Sequence, residues 1–223
     1  DNMVLQQNSI VAIWGRGNAS TMIHISCSWN KVIENVCFAD KSGTWRTTIK
    51  TPKAGGPFTI KIYDKDDTAT ISNVLIGEVW FCSGQSNMEM PMRGFKNQPV
   101  LNSNEILMNA DNEQLRLFET KRNATIIPVD TIYGDWKVSS PATASEFSAV
   151  AYMYGKMLQE KLKVPVGIIV SSWGGTKIQS WMDYESLVDF PSDINEYKTK
   201  ADTAKEKHKL STTLFNGMIA PFV

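Results

Sequence analysis

The stretch Val74-Leu-Ile-Gly-Glu-Val-Trp-Phe-Cys82 is almost continuously apolar, and Ser83-Gly-Gln-Ser-Asn-Met88 follows it directly. An apolar run of this length, with few polar interruptions, is typical of a strand that is covered on both faces in a parallel sheet. The stretch therefore predicts that an α/β architecture begins near residue 74.

A helix-to-strand unit further along the chain supports this prediction. Apolar residues recur at helical spacing over residues 147–162, and Thr143 with Glu146 has the pattern of a capping box at the start of such a helix. Pro165 ends the helical pattern, and a second apolar run follows at residues 166–170. Units of this kind build α/β sheets.

The first part of the chain has a different pattern. Residues 10–73 form short runs rich in β-branched and aromatic residues, separated by turn signals such as Asp40-Lys-Ser-Gly43. In residues 21–29 apolar and polar side chains alternate, which predicts a strand with one buried face. The sequence therefore predicts a small all-β sandwich over residues 1–73, jelly-roll-like, and an α/β domain over residues 74–223.

Two other segments give weaker patterns. Residues 92–135 are polar with few periodic signals, and they predict loops with one short strand at residues 114–120. Residues 195–209 carry a charge at almost every other position, which predicts a solvated helix, with a lid or interaction helix as the alternative.

Composition and charge limit the classes of partner. The 223 residues include 23 basic and 23 acidic side chains, so the formal net charge is zero, which favours a neutral or sugar-like ligand over nucleic acid. No apolar run approaches the roughly 20 residues of a membrane helix, so no membrane partner is predicted. Cys27, Cys37 and Cys82 lack the spacing of a zinc site, and we expect buried thiols, with a Cys27–Cys37 bridge as the alternative.

Two loops are candidates for chemistry because each follows a predicted buried strand. They are Ser83-Gly-Gln-Ser-Asn-Met88 and Ser171-Ser-Trp-Gly-Gly-Thr176. Since ligands gather beyond the carboxyl ends of strands in open α/β sheets, both loops are expected at one pocket. Ser86 would present its hydroxyl from a sharp strand-to-helix turn that Gly84 permits, and its alternative role is that of a helix N-cap.

The glycines of the second loop suit an anion. Gly174 and Gly175 allow backbone N–H groups to approach a ligand closely, and a helix beginning near Thr176 would add its positive end. Such donors stabilise the oxyanion of acyl transfer. The alternative is a tight turn with close helix packing. We expect the Ser86 hydroxyl and the amides near Gly174 to converge on one point.

Both loops resemble blocks of a known enzyme family. Gly84-Gln-Ser-Asn-Met88 resembles the nucleophile block of the SGNH hydrolases, specifically of the sialate O-acetylesterase family, and the second loop resembles that family's glycine block. Further similar stretches, in the same order, are Asp1-Asn-Met-Val-Leu-Gln6, Gly77-Glu-Val-Trp80, Phe147-Ser-Ala-Val-Ala-Tyr152 and Asn216-Gly-Met-Ile-Ala-Pro221. The resemblance implies the first part of a flavodoxin-like three-layer α/β hydrolase domain, preceded by a β-sandwich.

The resemblance also implies roles for individual residues. Ser86 would be the nucleophile, and its own N–H and that of Gly174 would bind the oxyanion, with Gly175 as a neighbour that could substitute. Residues that would shape or line the pocket are Gln85, Asn87, Trp173, Gly175 and Thr176. The implied substrate is an O-acetylated carbohydrate, sialic acid or another glycan, with no metal and no organic cofactor, and the implied location is the periplasm or the cell exterior.

The Asp-x-x-His segment of that family has no counterpart in these residues. The histidines are His24 and His208, and neither has an aspartate three positions before it. A serine hydroxyl is a weak nucleophile until a base removes its proton. We therefore expect the chain alone to be a nearly inactive fragment, with a C-terminal part of the same polypeptide carrying the histidine and aspartate. The alternatives are an acetylxylan esterase and a non-catalytic carbohydrate-binding fragment, the latter suggested by Trp14 and Trp29.

Overall fold

The computed structural model describes the backbone of residues 1–223 and the side chains of all of them except residues 31–33. Its strands are β1 (Val4–Gln6), β2 (Ile10–Arg16), β3 (Met22–Cys27), β4 (Asn30–Phe38), β5 (Thr44–Lys50), β6 (Gly55–Tyr63), β7 (Thr68–Gly84), β8 (Asn112–Glu119), β9 (Trp136–Ser139) and β10 (Val166–Ser172). Its α-helices are α1 (Ser86–Glu89), α2 (Ser103–Met108), α3 (Pro141–Glu146), α4 (Ala149–Leu162) and α5 (Pro191–Lys200). Short 3₁₀ or π turns lie at Ile178–Trp181, Glu185–Leu187, Lys207–Lys209, Phe215–Ile219 and Ala220–Phe222.

One mixed sheet organises the molecule. Its strand order is β4-β3-β6-β7-β10-β8-β9, with β1 also paired to β7, while β2 and β5 form a separate two-stranded sheet. Strands β7, β10 and β8 pair in parallel with one another. On the other side of β7, strands β6 and β3 pair antiparallel. The predicted α/β class is therefore confirmed as a mixed α/β fold with a central mixed sheet.

Strand β7 joins the two halves of this sheet without a break. It pairs antiparallel with β6 up to Ile76 and parallel with β10 from Glu78 onward. The apolar run that predicted a buried strand lies in it, and its first residues are buried, but Trp80 and Phe81 stay 42% and 40% exposed. The predicted domain boundary at residues 73/74 lies within this strand, in the part that is still paired antiparallel with β6.

Residues 1–73 supply strands β1, β3, β4 and β6 of this sheet, the first part of β7, and the separate β2–β5 pair. The predicted alternation on β3 is confirmed, because Ile23, Ile25 and Cys27 are buried while the residues between them are not. These side chains join Trp45 and Ile49 of β5 in one apolar cluster. A separate sandwich domain, and an incomplete hydrolase domain after it, stay predictions.

Helix α4 covers one face of the parallel strands, as the helical spacing predicted. The predicted capping box was wrong, however. Ser148 caps α4 by accepting the N–H of Ala151 at 3.3 Å, whereas Thr143 belongs to a capping box with Ser140 on the separate helix α3. Phe147, in extended conformation between the two helices, prevents Thr143 from capping α4.

Other predictions were corrected in their bounds. The predicted strand at residues 114–120 is present as β8, while α2 also lies in the region predicted as loops. The charged segment is helical only to Lys200, and a short 3₁₀ turn follows at Lys207–Lys209.

Cys27, Cys37 and Cys82 are free thiols, so the predicted Cys27–Cys37 bridge was wrong. Burial raises the pKa of the Cys27 thiol to about 11.

Among the helices that the structure describes, none combines the length and hydrophobicity that crossing a membrane would require.

Candidate active site

The turn after β7 presents Ser86 at the protein surface. Gly84 has a positive φ of 153°, and a Cβ at this position would lie 3.2 Å from Cβ of Met88. Gln85 is the N-cap of α1, so the alternative that Ser86 is the N-cap was wrong. Ser86 is instead the first helical residue, and it is exposed.

The glycine loop lies directly beside this turn because β10 is the parallel neighbour of β7. Ser172 pairs with Gly84 at the ends of the two strands, and the N–H of Trp173 donates to the carbonyl of Gly84 at 3.2 Å. A Cβ on Gly174 would lie 3.6 Å from Cα of Ser86. The structure thus brings together the two loops that the sequence predicted to share a site.

Three donors of these loops surround one oxygen atom, Oε1 of Gln85. It accepts from the hydroxyl of Ser86 at 3.0 Å, from the N–H of Ser86 at 3.3 Å and from the N–H of Gly175 at 3.4 Å. Gly175 has a positive φ of 75°, and a Cβ built on it would meet no atom within 4 Å. The geometry can therefore hold a carbonyl oxygen next to a serine hydroxyl, with two backbone N–H groups directed at it.

The N–H of Gly174 has a different partner. It donates to Oε2 of Glu89 at 2.7 Å, and the other carboxylate oxygen of Glu89 pairs with Arg122. Sequence reasoning named neither Glu89 nor Arg122. The position of Glu89, three residues after Ser86 on the same helical turn, was a usable signal, since side chains at that spacing lie on one face.

The remaining predicted pocket residues differ in accessibility. Asn87 is exposed beside Ser86, whereas Thr176 is buried and its hydroxyl donates to the carbonyl of Trp173 at 2.8 Å and accepts from Nε1 of Trp181 at 2.9 Å. Thr176 therefore shapes the loop from within. The helix expected near Thr176 was wrong, because the backbone forms only the 3₁₀ turn Ile178–Trp181.

The indole of Trp173 is covered by its neighbours. The imidazole of His208 stacks on it with ring centroids 4.5 Å apart and planes at 5°, and the guanidinium carbon of Arg122 lies 5.2 Å from the ring centroid. His24 lies on β3, stacked on Tyr63 and 3.1 Å from a carboxylate oxygen of Glu34. Among the described residues, the hydrogen-bond partner of the Ser86 hydroxyl is Gln85 rather than a histidine.

A charged cluster supports the far end of the glycine loop. Nζ of Lys177 donates to Asp193 at 2.5 Å and to Glu196 at 3.0 Å, both on α5, and Asp193 also accepts from the hydroxyl of Ser211 at 2.8 Å. Partial burial disfavours the charged amine, but the hydrogen bonds to the two carboxylates outweigh it and raise the pKa of Lys177. The hydrogen bond from Lys177 lowers the pKa of Asp193.

The lowered pKa of Asp193 predicts a pH-dependent contribution to stability. An unfolded aspartate has a pKa of about 3.9, so this contribution is present above pH about 4 and is lost as the pH falls through the lower folded-state pKa. We expect Asp193→Asn to cost about 1 kcal/mol at pH 7 and to flatten the decline of stability between about pH 5 and pH 2. Urea unfolding over that range measures both effects. The matched control is Asp189→Asn at an exposed position, and equal pH slopes for the wild type and Asp193→Asn would contradict the prediction.

Comparison with known proteins finds similar acetylesterases. No protein-family model matches the chain. The sialate O-acetylesterase of Rattus norvegicus is 30% identical over 201 residues, which are 83% of this chain and 36% of that protein. The human sialate O-acetylesterase is 29% identical over 209 residues, 84% of this chain and 38% of the human protein.

The chain is a relative of the sialate O-acetylesterases. A solved structure extends the relationship to the fold, since the crystal structure of a carbohydrate acetylesterase from Xanthomonas citri matches with a TM-score of 0.85 and 32% identity, over 99% of this chain and 46% of that one. The resemblance seen in the sequence blocks is confirmed. The chain spans between a third and a half of the length of these acetylesterases.

Proposed function

We propose that the chain forms the nucleophile-bearing part of a carbohydrate O-acetylesterase whose preferred substrates are sialate O-acetyl esters. The observation that carries the proposal is the convergence of the Ser86 hydroxyl, the Ser86 N–H and the Gly175 N–H on one oxygen atom. The names of the related acetylesterases support the substrate class.

In the proposed reaction the substrate's carbonyl oxygen replaces Oε1 of Gln85. The oxygen of Ser86 attacks the carbonyl carbon while a base takes its proton, and the two N–H groups donate to the oxyanion that develops. Preorganised donors of this kind contribute about 3 to 4 kcal/mol each to transition-state stabilisation. The intermediate expels the sugar oxygen, which takes up the proton. Water then hydrolyses the acetyl-serine, releasing acetate and restoring the Ser86 hydroxyl.

The donor set in this proposal differs from the one that the family resemblance implied. Gly174 was expected to supply the second N–H, but its N–H is held by Glu89. Gly175 is free of that contact and points at the same oxygen as Ser86. We therefore assign the second donor to Gly175.

The base is proposed to come from outside these 223 residues. His24 is engaged with Tyr63 and Glu34, and His208 lies flat against Trp173. A base must come within hydrogen-bond distance of the hydroxyl, directly or through one water. The activity therefore belongs to the protein in its full natural length, and its export stays a prediction.

A covalent label tests the nucleophile. After treatment of the full-length protein with a fluorophosphonate, we expect mass spectrometry of the digest to find the adduct on the peptide that contains Ser86. Heat-denatured protein is the control and should remain unlabelled, because the reaction needs the assembled site. A label on another serine, with Ser86 unmodified, would reject the assignment.

A second assay separates the substrate classes that the sequence left open. We expect kcat/KM for O-acetylated sialic acid to exceed that for acetylated xylan by at least about tenfold, since discrimination of this size needs only one or two pocket contacts. The opposite order would favour an acetylxylan esterase. Binding of glycans without hydrolysis of either ester would favour the carbohydrate-binding alternative.

A further inference from the structure

The side chain of Glu89 connects the nucleophile turn to the glycine loop. Glu89 is the last residue of α1, and its Oε2 accepts the N–H of Gly174 at 2.7 Å. The approach is close, because a Cβ on Gly174 would lie 2.3 Å from this oxygen. The side chain is only 19% exposed, so solvent competes little for the carboxylate.

Arg122 completes the connection from a third element. It lies in the segment that follows β8, pairs with Oε1 of Glu89 and places its guanidinium against the ring of Trp173. The two oxygens of one carboxylate therefore tie together the ends of β7, β10 and β8. A partly buried carboxylate needs such a partner, because an unpaired charge there would be costly.

Both carboxylate oxygens are engaged, which separates two roles for Glu89. A general base needs a free oxygen that can reach the Ser86 hydroxyl, and the hydroxyl is bonded to Gln85 instead. Oε2 holds the backbone N–H of Gly174 while Oε1 pairs with Arg122, and the next peptide in the chain carries the N–H of Gly175. The orientation of that N–H thus depends on the anchor at Gly174.

We propose that Glu89 is a positioning residue, which holds the N–H of Gly175 in line with that of Ser86 through its hydrogen bond to Gly174 and is itself held by Arg122. This role rests on the proposed function, in which those two N–H groups bind the oxyanion. Donors misplaced by about 1 Å cost on the order of a hundredfold in rate. Weakening the hydrogen bond between Glu89 and Gly174 is therefore expected to lower kcat more than it changes KM.

The first experiment measures the hydrogen bond between Glu89 and Gly174 independently of enzymatic activity. In Glu89→Gln we expect amide hydrogen exchange at Gly174 to become about tenfold to a hundredfold faster, because a charged acceptor is replaced by a neutral one. The matched control is Glu146→Gln, whose carboxylate pairs with Arg93 at 2.8 Å rather than with Gly174 or Arg122. Unchanged exchange at Gly174 in Glu89→Gln would overturn the proposal.

The second experiment measures the consequence in the full-length protein with an acetyl ester. We expect Glu89→Gln to lower kcat by about tenfold to a hundredfold with KM changed by less than about threefold, and Glu146→Gln to match the wild type. We expect the pH profile of kcat to be unaltered in Glu89→Gln if Glu89 positions Gly174, whereas loss of a general base would change that profile. A normal kcat in Glu89→Gln, or a rise in KM alone, would overturn the proposal.

A double substitution tests the part played by Arg122. If Arg122 acts through Glu89, the pair Glu89→Gln with Arg122→Gln should be no slower than Glu89→Gln alone to within about twofold, and multiplying effects would contradict this. Should Glu89→Gln fail to fold, Arg122→Gln carries the test, since Arg122 is 53% exposed. If the wild type and Ser86→Ala hydrolyse the ester equally, the proposed function fails, and the exchange experiment alone decides the role of Glu89.

Discussion

Replacing Ser86 with alanine is expected to lower the rate of acetyl-ester hydrolysis by at least about a thousandfold. The substitution removes the attacking oxygen but leaves the N–H groups of residue 86 and Gly175 in place. Residual activity above the uncatalysed rate is therefore expected from oxyanion binding alone. Initial rates with a small acetate ester, on the full-length protein, measure the loss.

Ser83→Ala provides the matched control for this prediction. Ser83 is also exposed and lies three residues earlier, on β7, but it makes none of the contacts to Gln85. We expect its rate to stay within about threefold of the wild type. Equal rates for Ser86→Ala and Ser83→Ala would remove the basis of the enzyme assignment.

Gly77→Ala is expected to destabilise the protein by about 3 kcal/mol or more. A Cβ at this position would lie 2.0 Å from the carbonyl oxygen of Pro165 and 2.7 Å from its carbonyl carbon. Both atoms are backbone, so relief requires β7 to move away from the start of β10. Urea unfolding followed by tryptophan fluorescence measures the change.

Gly55→Ala on β6 is the control for crowding at a strand glycine. Its added methyl would have its nearest contact at 3.8 Å, to the ring of Phe58, which is ordinary van der Waals distance. We expect a change within about 1 kcal/mol. A comparable loss in both variants would show that crowding at Pro165 is not the cause.

The position of the site was predictable because it depends on local signals. The apolar run before Ser83 predicted a buried strand, and the run before Ser171 predicted another. Parallel neighbours end at the same edge of a sheet, so the loops that follow them had to be close. The prediction of a helix after Thr176 was wrong, also for a local reason, because the loop continues only into a 3₁₀ turn.

The supporting contacts were not predictable, because they join residues that are distant in sequence. Glu89 and Gly174 are 85 residues apart, and nothing in either segment names the other. Arg122 and His208 lie in polar stretches whose patterns predicted loops and a solvated helix. Their positions against Trp173 follow from how the strands are arranged, which the periodicity of a single segment does not contain.

The uninterrupted course of β7 has a mechanical consequence. A strand of 17 residues extends over roughly 55 Å, and its backbone is hydrogen-bonded to neighbours on either side of the point where pairing changes direction. Because β7 runs unbroken from the amino-terminal region to the turn that carries Ser86, rotation of one region about the other would require breaking backbone hydrogen bonds of the sheet. Under the proposed function, a sugar chain that contacts both regions would therefore bind to a rigid surface of fixed length rather than between two parts that close around it.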